Sequence, residues 1–317
     1  MRMFLYFSGF HGANAKFSPK VLLMAICLTS TSLVHSHNAR PASVGKVLKS
    51  PPSQVISAKY RKEGRSGYKG RYMEFEPDAN PPQSIDWRSV EGFNYVNTPG
   101  NQSRCGACYA FAAVAAIEAQ KRIKDGGPLP ELSVQQLVEC SHTPPYRNFG
   151  CRFGSVKFSY DYYIQAQKGA IKAKFYPYKG RDNDTCHDSG RPYTVGARIT
   201  AYEKIKETEA ELRKAVGLRG PVPVVMNINQ TRMYEYREKG VYKDLSCISG
   251  SVLDLNHNFV AIGYGTDPVE GKFWLLKNSW GTDWNDDGFI RVARDVKVEF
   301  PGGLCGIALN AYMPIVD

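Results

Sequence analysis

Apart from one run near its start, this 317-residue chain has no stretch approaching the about 18 consecutive apolar residues that a membrane-spanning helix needs. It has no internal repeat and no low-complexity tract. Its 29 Gly and 19 Pro are too few and too irregular for a collagen-like thread. Apolar residues are not scarce: at 43% they exclude a chain disordered throughout. The length suffices for one large core or two small ones. Acidic residues are the minority charge, 30 against 41 Lys and Arg, for a formal net charge of +11. Such an excess usually raises the question of nucleic acid. Here it is confined. Residues 1–83 hold 12 Lys and Arg against 4 Asp and Glu, net +8, which leaves residues 84–317 at +3. A near-neutral body without a recognition motif speaks against a nucleic-acid partner. A second cysteine pair at zinc-ligand spacing is also missing, so Cys105-x-x-Cys108 does not read as half of a zinc site, and no metal is expected.

The one apolar run is Val21–Leu28, preceded by Lys16 and Lys20 and followed by small and polar residues to Ser36. That is the layout of a secretory signal peptide, here assigned to residues 1–36, and the run is too short for a comfortable span. A signal anchor is the competing reading. Eight Cys occur, and Cys27 falls in the signal. Seven remain, which in an oxidising compartment suggests three disulfides and one spare thiol. Residues 37–83 are rich in Pro, Ser, Lys and Arg without apolar period, and read as a pro-segment or linker.

From Ser84 the texture changes. Tyr109–Lys124 is Ala-rich with apolar residues at helical spacing and stops at Gly126-Gly127-Pro128. Ser133-x-x-Gln136 reads as a capping box for a short helix ending near Cys140. Further helices fit Val156–Gln167 and Glu207–Val216. Then the period shortens: Val222–Ile228, Phe259–Tyr264, Phe273–Lys277 and Phe289–Val292 are β-branched and aromatic runs bounded by Gly, Asn and Asp. Helices early and strands late imply an α+β fold or two lobes, 84–195 mainly helical and 196–317 β-rich.

Cys108 opens the Ala-rich helix, where the partial positive charge of the helix N-terminus favours a thiolate. A thiolate attacks carbonyl carbon, and needs an imidazole to hold the ion pair and protonate the leaving amine. Of six His, His11, His35 and His37 lie in the signal and arm, and His142 and His187 in loops. His257 begins a predicted strand, and Asn278 in Lys277-Asn278-Ser279-Trp280-Gly281 offers an amide to fix its tautomer. Taken alone, a His before a strand is more often structural. The conjunction of the three favours catalysis.

Cys105-Gly106-Ala107-Cys108-Tyr109, with His257 149 residues and Asn278 170 residues beyond Cys108, resembles the papain and cathepsin cysteine peptidases. Similar stretches are Ile85-Asp86-Trp87-Arg88, Leu132-Ser133-x-x-Gln136, Tyr176-Pro177-Tyr178, Asn278-Ser279-Trp280-Gly281-x-x-Trp284 and Cys305-Gly306. The resemblance covers residues 84–317. It implies a two-lobe α+β fold, a helical left lobe and a β-barrel-like right lobe with the cleft between. Cys108 would be the nucleophile, His257 its partner, Asn278 the orienting amide, and Trp280 the shield of that contact. Gln102 would share the oxyanion hole with the Cys108 backbone N–H, an exposed loop amide being the alternative. Peptide bonds would be cut through a thioester acyl-enzyme without any cofactor. Gly154, Ser155, Val156, Leu255, Asn258 and Asn310 would line the substrate pockets. Asn258 would put an amide on the floor of the main pocket, unless it bonds to Asn310 or water.

The resemblance also implies disulfides Cys105–Cys151, Cys140–Cys186 and Cys247–Cys305. Asn183 and Asn229 lie in glycosylation sequons by pattern, as does Asn101, where a glycan would block the site. Phe153, Ser103 and Asn285 stand where the family usually has Gly. Protein or peptide substrates, cystatin-type inhibitors, a monomer, and a lysosomal or extracellular location complete the expectation. A non-catalytic secreted binding protein of the same fold is the rival. The arm could lie along the cleft as an extended inhibitor near Tyr72–Pro81, released by cleavage before Ser84.

Overall fold

The computed structural model describes residues 71–317 except 143, 184, 189–191, 248, 300 and 301. The signal peptide expected at 1–36, and the expected pro-segment as far as residue 70, lie outside the described residues. The helices are α1 Cys108–Asp125, α2 Val134–Cys140, α3 Val156–Gln165, α4 Glu209–Arg219 and α5 Gln230–Glu235. The strands are β1 Ile85–Asp86, β2 Ala170–Ile171, β3 Val195–Ala197, β4 Ile199–Lys204, β5 Val222–Met226, β6 Val241–Tyr242, β7 His257–Asp267, β8 Gly271–Lys277, β9 Phe289–Ala293 and β10 Tyr312–Val316.

Alanines at 110, 112, 113, 116 and 119 are buried along α1, so the helix is enclosed on nearly every side and neighbouring elements approach it closely. It packs on α2 and α3 from the helical half and on β5, β7 and β10 from the sheet half. A helix so enclosed can carry its first residue into a cleft while its body stays fixed in the core.

In α2, Ser133 Oγ accepts the Gln136 N–H at 3.0 Å, the cap that the sequence signalled. The reciprocal half of the box does not form. Gln136 reaches across to β2 instead, donating to Gly169 O at 3.0 Å and accepting from Ile171 N at 2.9 Å. At the other end of α2 the fully buried Glu139 collects Tyr176 Oη, Gln135 Nε2, Lys179 Nζ and Asn183 Nδ2. Burial pushes its carboxyl up, but these donors outweigh it and hold it below its ordinary value. The disulfides are Cys105–Cys151, Cys140–Cys186 and Cys247–Cys305.

The main sheet runs β1-β7-β8-β9-β6, with β5 also on β7. All pairs are antiparallel except β6 with β9. At 11 residues β7 is long enough to take β5 along His257–Ala261 and β1 at Gly263–Tyr264. A Cβ at Gly263 would lie 2.2 Å from Ile85 O, so only glycine allows β1 to close in there. Among the described residues this sheet stays open, so the lobe expected to be barrel-like holds an open sheet. The fold is nonetheless the expected papain-like α+β arrangement of helices and sheet.

Residues 71–82 do not lie loose. Met73 is buried, its N–H donates to Lys204 O at 2.7 Å, and Lys204 N–H donates to Arg71 O at 3.0 Å. Tyr264 Oη donates to Pro82 O at 2.9 Å. This strap runs against β4, α4 and β7, and its residues are not among those lining the cleft. The expected extended inhibitor at Tyr72–Pro81 is therefore not in place along the cleft.

Candidate active site

A cleft of about 1120 Å³ lies where the N-terminus of α1 meets the start of β7. One wall is made by the loops at 101–106 and 151–155, the other by residues around His257, Asn258 and Trp280. The first two loops are drawn together by the Cys105–Cys151 disulfide and by Gly106 N–H donating to Cys151 O at 2.7 Å. A Cβ at Gly106 would sit 2.7 Å from Cys151 O and 2.8 Å from Arg152 O, so this approach requires glycine.

Cys108 is the free cysteine of the described chain, partly exposed at the first position of α1. Ala107 before it has no capping side chain, so the first N–H groups of the helix, that of Cys108 included, are left to whatever occupies the cleft. Burial alone would raise the Cys108 thiol. The His257 charge and hydrogen bond, joined by hydrogen bonds from Asn258, override it and bring the thiol down from 9.0 to about 7.

His257 is 2% exposed. Its Nε2 lies 2.8 Å from Asn278 Oδ1, which also accepts the Ser279 N–H at 2.8 Å. An amide oxygen can only accept, so Nε2 carries a proton and Nδ1 is the nitrogen left to work with Cys108. Rings pin the imidazole: Trp280 at 4.7 Å and 35°, and Phe259 edge-on at 4.7 Å. Trp284 in turn meets Trp280 edge-on at 5.0 Å.

Gln102 is buried, not an exposed loop amide. Its Oε1 accepts from Ser279 Oγ at 2.6 Å and its Nε2 donates to Cys105 O at 2.9 Å. One N–H of Nε2 stays free for the cleft. The Gln102 N–H donates to Ser279 O at 2.8 Å and Tyr178 Oη to Gln102 O at 2.9 Å. Nothing in the sequence pointed to Ser279, Tyr178 or Phe259 in these supporting positions, because each acts through a contact made across the fold.

Ser103 and Asn285 have φ of 55° and 45°. Both positions, where glycine would be usual, are thus left-handed. Asn tolerates this better than Ser does, and Ser103 is steadied by its N–H on Asn101 Oδ1 at 2.8 Å.

The expected pocket residues divide. Gly154, Ser155, Leu255 and Asn310 line the cleft, while Val156 is buried inside α3. Ser155 also caps α3, accepting from Lys157 N at 3.2 Å. A Cβ at Gly154 would strike Asn148 and Tyr109 at 2.6 and 2.7 Å. Phe153 is 60% exposed and pairs with Phe149 at 4.4 Å, a rim and not a barrier. Asn258 directs its amide to the nucleophile and not to Asn310: Nδ2 donates to Cys108 Sγ at 3.4 Å. Asn183 and Asn229 are both exposed. Cys140, Cys186 and Asp188 bring metal-ligand atoms together, but the two sulfurs are bonded to each other.

The profile described as papain family cysteine protease matches residues 81–315. A cathepsin L-like protein of Caenorhabditis elegans is 38% identical over 74% of this chain and 64% of its own length. Procathepsin L of Rattus norvegicus is 35% identical over 78% and 70%. The chain thus spans just under two thirds of the first of these relatives. Among solved structures, bromelain of Ananas comosus in complex with the E64 inhibitor is similar, with a TM-score of 0.63 and 36% identity over 74% of this chain and all of that one. Procathepsin L 3 of Tenebrio molitor larval midgut has a TM-score of 0.64 and 29% identity, over 77% of this chain and 75% of that one.

Proposed function

The chain belongs to the papain family of cysteine proteases, and from that premise we propose that it is an endopeptidase cutting peptide bonds through a thioester on Cys108. One observation carries the reading. A free thiol at a helix N-terminus is drawn down to about 7 by a histidine whose far nitrogen is held by Asn278.

The thiolate of Cys108 attacks the scissile carbonyl carbon, forming a C–S bond while the π pair moves onto oxygen. The free Gln102 Nε2–H and the Cys108 N–H receive that charge. The intermediate collapses, the C–N bond breaks, and the His257 Nδ1 proton goes to the leaving amine. Water, deprotonated by Nδ1, then attacks the thioester. The acid leaves and the ion pair is restored. Gly154 would hold the substrate backbone, with Ser155, Leu255 and Asn310 around its side chains. The family and the exposed sequon residues Asn183 and Asn229 support a glycosylated product of the secretory pathway, destined for lysosome or exterior. Cystatin-type inhibitors are the partners that such a cleft would meet.

The test is titration with an epoxide that alkylates activated thiols, read by intact mass and by hydrolysis of a fluorogenic peptide. Modification at Cys108 with parallel loss of hydrolysis is expected. Cys108→Ala should stay folded and lose on the order of 10⁶-fold in kcat, the scale for removing a nucleophile. Hydrolysis that survives alkylation, or in that variant, would sink the reading.

A further inference from the structure

Asn258 follows His257 on β7, and its side chain is anomalous. It is 6% exposed, and its Oδ1 is buried with no hydrogen-bond partner among the described residues. Its Nδ2 donates to Cys108 Sγ at 3.4 Å. A buried acceptor left unpartnered destabilises the fold, so the amide is poorly explained by packing or by a polar network. An apolar side chain of the same shape would serve the core better.

What the amide gains lies at sulfur. His257 meets Asn278 and Trp280 and gives its other nitrogen to Cys108, while Asn258 reaches the same sulfur with an amide donor. The backbone register is fixed independently of either side chain, by β5 pairing Met226 with His257 and Val225 with Asn258.

We propose that Asn258 is a further catalytic residue, whose amide N–H hydrogen-bonds the Cys108 thiolate and stabilises it alongside His257. The inference rests on the reading of Cys108 as nucleophile. A hydrogen bond to an anion is stronger than one to the neutral thiol, so it favours ionisation. The direction of the Cys108 shift agrees, since Asn258 contributes to lowering it. The other titratable groups coupled to Cys108 are His257 from β7, Tyr109 on α1 and Tyr178 beyond β2. Both phenols are shifted upward, mainly by burial, and carry no charge in the working range. Arg104 and Arg152 line the same cleft. The bond differs from an oxyanion contact, because it acts on the free enzyme before substrate arrives.

The experiment compares the purified full chain with Asn258→Leu and Asn258→Asp. Iodoacetamide alkylation of Cys108 is followed from pH 4 to 10 by intact mass, with thermal melting in parallel. In Asn258→Leu the acid limb of the alkylation profile should move up by roughly 1–2 pH units, the size of a lost hydrogen bond to a charge. Alkylation at pH 5 then slows about 10–100-fold, while Tm holds or rises because the orphaned acceptor is gone. In Asn258→Asp a carboxylate beside the thiolate should move the limb further up. A merely structural role predicts the reverse: a lower Tm and an unmoved limb, and that result overturns the proposal. If the unmodified chain already shows an ordinary thiol profile, the reading of Cys108 fails first and takes this one with it.

Discussion

Cys108 stands at the mouth of a helix whose neighbouring loops are tied by covalent bonds and side-chain hydrogen bonds, whereas His257 stands on a strand tied by a backbone ladder. On the helical side, disulfides Cys105–Cys151 and Cys140–Cys186 each close a span of 46 residues, and Glu139 gathers donors from several segments. On the sheet side, β7 is paired by β5, β1 and β8, and Cys247–Cys305 lies off that ladder. The lesson is about where side-chain identity matters. The loops of the helical wall have little ladder of their own, so their shape depends on particular residues. The sheet wall has its register from main-chain groups and is free to vary side chains outside the site.

The strongest way to sharpen this contrast is to remove one positioning amide from each wall. Asn278→Ala releases the His257 ring and should cost about 10²–10⁴-fold in kcat, as a lost tautomer-fixing partner does elsewhere. Gln102→Ala should cost roughly 10²–10³-fold, as for one oxyanion donor. Steady-state kinetics on a single peptide substrate check both. Losses under tenfold in either would remove that wall from the chemistry.

A second contrast lies within the helical wall. With equal spans, the Cys105→Ser/Cys151→Ser and Cys140→Ser/Cys186→Ser pairs should each lose about 4 kcal/mol by chain entropy. Their activities should part. The first pair loosens the loop bearing Gln102 and Gly106, so kcat per folded molecule falls; the second should leave it within about twofold. Denaturant titration and active-site counting measure the two quantities. Equal kcat in both pairs would mean that backbone contacts alone hold the first loop.

The smallest effect concerns the seam between the walls. Burial pushes Glu118 of α1 up from 4.5 to about 7, against the opposing pull of Lys277 on β8 and the N–H of Leu132. Burial likewise lowers Lys277, opposed by Glu118. A carboxyl whose folded value is raised stabilises below its unfolded value and loses that contribution as pH climbs through the folded one. Stability should therefore fall between pH 4.5 and about 7 by up to about 3 kcal/mol. Glu118→Gln, which keeps an acceptor for Leu132, should flatten that slope in melts taken across the range. An unchanged slope would place the titrating group elsewhere.

How much of this could be read beforehand varies with range. Helix α1 was legible almost to the residue, because Ala-rich period and Gly126 are local signals. So was the early-helix, late-strand order. β4 and β10 were not foreseen: Ile199–Lys204 alternates weakly, and β10 contains Pro314, and they become strands by pairing with each other across the fold. Helix α5 escaped because six residues with Met233 alone buried carry no period. Cys108 was legible from the odd cysteine count and its helix position, and His257 from its conjunction with Cys108 and Asn278, whereas the Gln102 role and the disulfide pairs came through resemblance. The bond from Asn258 to Cys108 spans 150 positions and depends on one rotamer, which no pattern encodes.

The strap at 71–82 sets a limit on trimming from the N-terminal side. An exopeptidase must draw an extended, unpaired end into its own cleft. Arg71 and Met73 supply none, since their main-chain groups bond to Lys204 and Met73 is in the core. A cut before Ser84 would strip Met73 out of the core and Pro82 from Tyr264, and leave a hole beside β4. The fold thus counts residues 71–82 as part of its body, ahead of the motif Ile85-Asp86-Trp87-Arg88.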